Sequence, residues 1–82
     1  AMALDHAAQN IRVNSLSPGP VETDRYLANF SSSSEAQKTS NTLLDRLGRP
    51  DEIAAGVAFL ASDDASFMTG SDLLIDGGYT VP

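Results

Sequence analysis

The sequence predicts an α/β fold in which two parallel strands belong to a doubly wound sheet. Three observations carry that expectation. Residues 11–16 (IRVNSL) alternate in character and run straight into Ser17-Pro18-Gly19-Pro20. Residues 72–76 (DLLID) have an unbroken apolar centre and end at Gly77-Gly78. A long connection with helical pattern lies between them. Two strands joined by a helical crossover pair in parallel. Functional residues of such sheets gather in the turn at the carboxyl end of a strand. That rule directs attention to residues 18–23.

The elements follow in chain order. Residues 1–9 carry Met2, Leu4, Ala7 and Ala8 among polar neighbours and stop at Asn10, as a helix does. Ala1-Met2-Ala3-Leu4 reads as the middle of that helix, because no capping residue precedes it. In residues 11–16, Ile11, Val13 and Ser15 alternate with Arg12, Asn14 and Leu16. Pro18 and Pro20 cannot donate ladder hydrogen bonds, so the strand is expected to break at Ser17. Thr23 or Asp24 caps a short helix through Phe30. The serine run at 31–34 reads as a flexible connector.

A helix is expected over residues 35–47. Ser32 with Glu35, and Ser34 with Gln37, stand at capping-box spacing. Its apolar content is thin (Ala36, Leu43, Leu44, Leu47), so loose packing and mobility are expected. Gly48-Arg49-Pro50 ends it and starts the next. Pro50 at the first helical position, with Asp51 and Glu52 in the first turn, is a strong start signal. Ile53, Ala54, Val57, Leu60 and Ala61 then mark one apolar face. Ser62-Asp63-Asp64 breaks that helix, and residues 64–69 form one helical turn and a loop. The apolar run in residues 72–76 suits a strand covered on both faces. No internal repeat is present.

Composition narrows the function. Eighty-two residues with a net charge of −6 and only 5 basic side chains offer no basic patch for duplex nucleic acid. No apolar run approaches the roughly 20 residues of a membrane span. The N-terminus lacks the pattern of a signal peptide. There is no cysteine, hence no disulfide and no thiolate zinc site, which suits a cytoplasmic location. A chain this short buries only about 60–65% of its unfolded surface, so its stability is marginal without help.

Three segments resemble one family. NIRVNSLSPGPVET, RLGRPDEIAAGVAFLASDDASFMTG and SDLLIDGGY, in this order, are similar to the C-terminal third of a short-chain dehydrogenase/reductase. The resemblance implies the C-terminal part of a Rossmann-like domain across residues 1–82. Residues 24–45 would be its substrate lid, and residues 50–76 its C-terminal helix and strand. It implies an NAD(P)-dependent oxidoreductase acting on a small carbonyl compound or secondary alcohol. The Gly-rich dinucleotide turn and the catalytic Ser and Tyr-x-x-x-Lys of the family have no counterpart here. Tyr26 and Tyr79 are the only tyrosines, Lys38 is the only lysine, and neither tyrosine precedes it by four. No catalytic residue is therefore assigned, and the chain alone is expected to be inactive.

By resemblance, Val21 would offer its backbone N–H and C=O to the nicotinamide carboxamide, which needs one donor and one acceptor. Thr23 would offer its hydroxyl to the carboxamide or pyrophosphate. Pro18 and Gly19 would shape the turn and let the ring approach. The plainer reading makes Pro18-Gly19 only a turn and Thr23 only a helix cap. Leu27 and Phe30 would face the substrate from the lid, or belong to a surface excursion. Asn14 braces a loop, His6 is a solvated surface residue, and Asp76 binds the amides of the Gly77-Gly78 turn. Asp63 and Asp64 end one helix and cap the next turn. Arg46 and Arg49 are solvated charges at a helix junction. No metal site is expected.

The family's last helix and strand often pack across a two-fold axis. A homo-oligomer, or association with the missing N-terminal part, is the partnership implied. The alternative function is a non-catalytic truncated module that self-associates or binds an intact subunit. Whether the cofactor is NAD or NADP is decided near the adenosine ribose, outside these residues.

Overall fold

The computed structural model describes all residues from Ala1 to Pro82. In chain order it contains α1 (Met2–His6), β1 (Ser15–Pro18), α2 (Asp24–Leu27), α3 (Ser33–Lys38), α4 (Pro50–Ala61) and β2 (Asp72–Ile75). Short 3-10 turns follow α1 (Ala7–Gln9) and α4 (Asp63–Ala65). β1 and β2 pair in parallel, with Ser15 opposite Asp72 and Pro18 opposite Ile75. Parallel strands joined through helices are the expected pattern of a doubly wound α/β sheet.

The first strand lies later than the sequence suggests: Ser15–Pro18 rather than 11–16. Pairing shows why Pro18 does not break it. The N–H groups of Ser15 and Gly19 donate to Ser71 O and Ile75 O, each at 2.9 Å. Alternate residues of a parallel strand face the partner, so the odd positions carry the ladder. The donor that Pro18 lacks falls on the outer edge, where no bond is needed. Upstream, residues 11–14 are held by side chains. Arg12 Nη1 donates to Ala65 O (2.9 Å). Asn14 donates to Met68 O (3.0 Å) and accepts from the Ser71 N–H (3.1 Å), the bracing expected of it.

α4 begins and ends where its signals place it. Glu52 Oε1 reaches back to the Arg49 N–H (2.9 Å), satisfying a donor at the helix start. The face it turns to the sheet differs from the expected one. Gly56 is buried and Ile53 and Leu60 are half-buried, whereas Ala54, Val57 and Ala61 are exposed. A Cβ on Gly56 would lie 2.4 Å from Ile75 Cδ1 and 3.0 Å from Leu16 Cδ1. The missing side chain lets the sheet's branched residues reach the helix backbone, a contact that hydrophobic periodicity does not register.

Leu16, Leu73 and Ile75 thus face α4. The opposite face carries Ser15, Ser17 and Asp72, whose Oδ1 accepts from both serine hydroxyls (2.6 and 2.9 Å). Those bonds hold the Asp72 carboxyl below its ordinary range. Leu74 on that face is 50% exposed, so this chain covers β2 on one face only. The radius of gyration is 15.7 Å, against about 12 Å for a compact domain of this length.

The helix expected over 35–47 is the largest departure. α3 ends at Lys38. Thr39 Oγ1 donates to the Glu35 and Ala36 carbonyls (3.1 and 3.2 Å), and Asn41 and Asp45 adopt left-handed φ of 58° and 57°. Side chains that bond to nearby backbone compete with the helix, and Asn and Asp tolerate this conformation best after glycine. The α3 start follows its signal. Ser32 Oγ accepts from the Glu35 N–H (3.1 Å), while the Glu35 carboxylate accepts from both the N–H and the hydroxyl of Ser31.

Nor is this segment loosely packed. Of the six buried residues in the chain, Ala36, Ser40, Thr42 and Leu47 lie in it. Leu43 and Leu44, expected among its apolar contacts, are exposed. Polar contacts do much of the holding. Thr42 Oγ1 donates to Arg46 O (2.8 Å) and accepts from the Arg46 N–H (3.2 Å).

Candidate functional site

The turn after β1 is built by two backbone constraints. Gly19 N–H donates to Ile75 O, and a Cβ on Gly19 would lie 2.7 Å from the Asp76 Cα. Glycine here lets the two strand ends approach each other. Two residues on, Val21 forms a parallel bridge with Gly48. Gly48 N–H donates to Pro20 O (2.9 Å), and Glu22 N–H donates to Gly48 O (2.7 Å).

That bridge fixes what Val21 exposes. Its flanking residues make both bonds to Gly48, so its own N–H and C=O point to the opposite edge. Neither group has a protein partner. One donor and one acceptor, side by side on a braced segment, is the pattern a primary carboxamide matches.

Thr23 caps α2. Its Oγ1 accepts from the Tyr26 N–H at 3.1 Å, which leaves the hydroxyl proton free to donate elsewhere. Leu27 and Phe30 are half-buried, and the Phe30 ring packs on Tyr26 with centroids 5.4 Å apart. Of these residues it is Tyr26 that lines the open cleft beside the turn. The cleft measures about 450 Å³ and is bounded by Pro18–Pro20, by residues 39–41 and by Tyr79 and Thr80. It lies outside the carboxyl ends of both strands, where open α/β sheets place their ligands. Val21 lines a separate recess of about 90 Å³ with Arg46, Glu52, Ile53 and Asp76.

The electrostatics around the turn are those of tethered carboxylates. Asp76 Oδ2 accepts from the Thr80 hydroxyl (2.8 Å) and N–H (3.1 Å), and Oδ1 accepts from the Gly78 N–H (2.9 Å). The Thr80 hydroxyl, ahead of the turn amides, lowers the Asp76 pKa. This is the turn-binding role expected of Asp76. Arg46 is more engaged than a solvated charge. Its guanidinium meets Glu52 in a two-pronged contact of 2.7 and 2.9 Å. Hydrogen bonding from Arg46 is the main reason the Glu52 pKa falls to about 2. Arg49 pairs with Asp51 at the exposed surface (3.1 Å). The His6 imidazole hydrogen-bonds only Gln9, at 3.0 Å, on the surface of α1.

The sequence-predicted residues divide between these features. Pro18 and Gly19 line the cleft, Val21 presents its edge, and Thr23 stands between them and α2. Three neighbours went unforeseen: Glu22, Gly48 and Gln37. Gln37 Nε2 donates to Glu22 Oε2 (3.2 Å) while its Oε1 accepts from the Leu47 N–H (2.7 Å). Only the capping-box spacing singled out Gln37, and for a different role.

Known proteins resemble the chain along nearly its whole length. The family model described as "Enoyl-(Acyl carrier protein) reductase" matches residues 1–80. A cyclohexanol dehydrogenase from Acinetobacter sp. (strain SE19) is 48% identical over 80 residues, covering 98% of this chain and 30% of that protein. A 4-hydroxyisoleucine dehydrogenase complexed with NADH superposes with a TM-score of 0.81 at 43% identity, over 99% of this chain and 34% of that one. A short chain dehydrogenase family protein from Francisella tularensis subsp. tularensis SCHU S4 gives 0.83 at 45% identity, over 99% and 38%. The chain spans about 30% of the length of the curated relatives it matches. No helix is long and apolar enough to cross a membrane.

Proposed function

The chain belongs to the short-chain dehydrogenase/reductase family, and from that premise we propose that it is the C-terminal portion of an NAD(P)-dependent oxidoreductase. Its substrate class is a small carbonyl compound or secondary alcohol. Its contribution is the nicotinamide side of the cofactor site, the lid over the substrate and part of the subunit interface.

The observation that carries this reading is the unpaired edge of Val21. The Gly48 bridge holds that edge rigid before any ligand arrives, and rigid polar groups cost little to order on binding. The carboxamide would take the Val21 N–H and C=O, and the Thr23 hydroxyl would donate its free proton to the carboxamide or pyrophosphate. Pro18 and Gly19 would form the wall beside the ring. When bound, the nicotinamide supplies the hydride chemistry; the residues here orient it and shield it. Fixing the carboxamide fixes which ring face meets the substrate. NAD and NADP fit these residues equally, since neither choice involves the carboxamide. Residues 24–45 form the lid in this reading, with Leu27 and Phe30 toward the substrate. The relatives' dehydrogenase activities support an alcohol substrate.

The open side of the sheet supports a partner. Val57, Leu60 and Ala61 of α4 line a groove of about 430 Å³ with Leu16 and Asn14, beyond the unpaired edge of β1. A strand edge with apolar cover prepared beside it suits another strand. The missing N-terminal part would fill it in the complete enzyme. A second reading rests on the same groove: a non-catalytic module that fills it with its own copy or an intact subunit.

Alcohol-dependent reduction of NAD⁺ or NADP⁺ separates the two. The 82-residue chain alone should give no turnover, and the full-length enzyme carrying these residues should give robust turnover. Turnover by the pure short chain, or none by the full-length protein, would overturn the proposal.

A further inference from the structure

We infer that Gln37 is a positioning residue for the nicotinamide turn: its carboxamide locks α3 to the segment that presents the Val21 edge. The inference rests on the reading of Val21 proposed above. It concerns a residue outside the turn that touches neither cofactor nor substrate in that reading.

The geometry points in one direction. Val21 is held from one side by Gly48, through Pro20 and Glu22. Glu22 is held in turn by α3. Its Oε1 accepts from Ser33 Oγ (3.3 Å) and its Oε2 from Gln37 Nε2 (3.2 Å). Ser33 and Gln37 stand four residues apart on one helix face, so one carboxylate spans both. The other end of the Gln37 carboxamide accepts from the Leu47 N–H at 2.7 Å. Leu47 is 1% exposed, and Gln37 is the sole partner of that N–H. A buried donor without a partner is costly, which ties the orientation of the carboxamide to Leu47. Leu47 precedes Gly48, so Gln37 grips the bridge from both strands: Glu22 on one, Leu47 on the other.

A carboxamide suits this place because it donates from one end and accepts at the other. A carboxylate could serve Leu47 but would repel Glu22. Exchanging the two residues restores a donor and an acceptor between them. Recovery on exchange ties the effect to this hydrogen bond, and the local Glu22 exchange with the kcat-against-KM split separates positioning from bulk stability.

The test is made in the full-length enzyme with three forms: wild type, Gln37→Glu, and the exchange variant Glu22→Gln/Gln37→Glu. Two readouts are taken: affinity for NADH or NADPH by fluorescence, and hydrogen exchange at the Glu22 amide without cofactor. Gln37→Glu should weaken cofactor binding about tenfold, in the range of coupled contact pairs, while kcat changes much less than KM. Its Glu22 amide should exchange about tenfold faster, with the Leu47 amide still protected. The exchange variant should return both readouts to near wild type. If Gln37→Glu is too unstable to assay, the exchange variant decides, because near-wild-type affinity is expected of it alone. Unchanged Glu22 exchange in Gln37→Glu, or an exchange variant that fails to recover, overturns the inference. A wild-type protein that binds neither cofactor refutes the proposed function instead, and Gln37 is then judged by the exchange readout.

Discussion

The α4–sheet unit and the segment between α3 and α4 are held by different forces. In the first, Gly56 meets Leu16, Leu73 and Ile75 between the half-buried Ile53 and Leu60, and removal of apolar surface from water drives the contact. In the second, four of the six buried residues of the chain are present, yet two of those are Ser40 and Thr42. Hydrogen bonds through Thr42, Gln37 and Arg46 close it. Apolar packing is non-directional and tolerates small shifts. A polar latch is directional and is either satisfied or broken. The unpaired edge of Val21 leans on the second kind, which suits a segment that must be held in one geometry.

The largest effect is expected of Leu47→Ala. Leu47 is the one large side chain fully buried, and the cost should be about 2–5 kcal/mol in denaturant unfolding of the full-length protein. A loss well under 1 kcal/mol would mean that the segment contributes no core. Gly19→Ala comes next. The new Cβ meets backbone at Asp76, which cannot swing aside, so about 1–3 kcal/mol of overpacking is expected. Weaker cofactor binding should accompany it, and an alanine variant with unchanged melting and affinity would refute the close approach. Thr23→Ala removes an exposed cap and should cost about 1 kcal/mol. Its effect on cofactor affinity is the more telling one, since a pure cap predicts none.

The smallest effect is the response to acid. The Glu52 pKa is lowered from 4.5 to about 2 in the fold, chiefly by its hydrogen bond with Arg46. A lowered folded value means stability that is fully present above the unfolded pKa and lost as pH falls toward the folded one. Melting temperature should therefore fall between about pH 4.5 and 2 by a component that Glu52→Gln removes. The pair is partly exposed, so added salt should shrink the component. An identical acid profile in wild type and variant would remove Glu52 from the account.

The same contrast explains what was legible in the sequence. α4 and β2 were readable because proline, acidic first-turn residues and an apolar run are local signals. The β1 boundary is not a local signal, because the ladder parity that excuses Pro18 depends on β2, far away in the chain. The start signal at Ser32 is local and correct, but the helix it opens does not reach Leu47: the Thr39 hydroxyl bonds to backbone carbonyls, and Asn41 and Asp45 take left-handed φ and turn the chain. At the candidate site, Pro18, Gly19, Val21 and Thr23 stood out through their turn chemistry and the family resemblance. Gly48 and Gln37 did not, because their roles exist only once distant segments meet.

The most direct measurement is a crystal structure of the full-length protein grown with NADH or NADPH. The account predicts the carboxamide oxygen and nitrogen about 2.9 Å from the Val21 N–H nitrogen and the Val21 carbonyl oxygen, with Gly48 still bridged to Pro20 and Glu22. A carboxamide bound elsewhere, with the Val21 edge facing solvent or another chain, would contradict it.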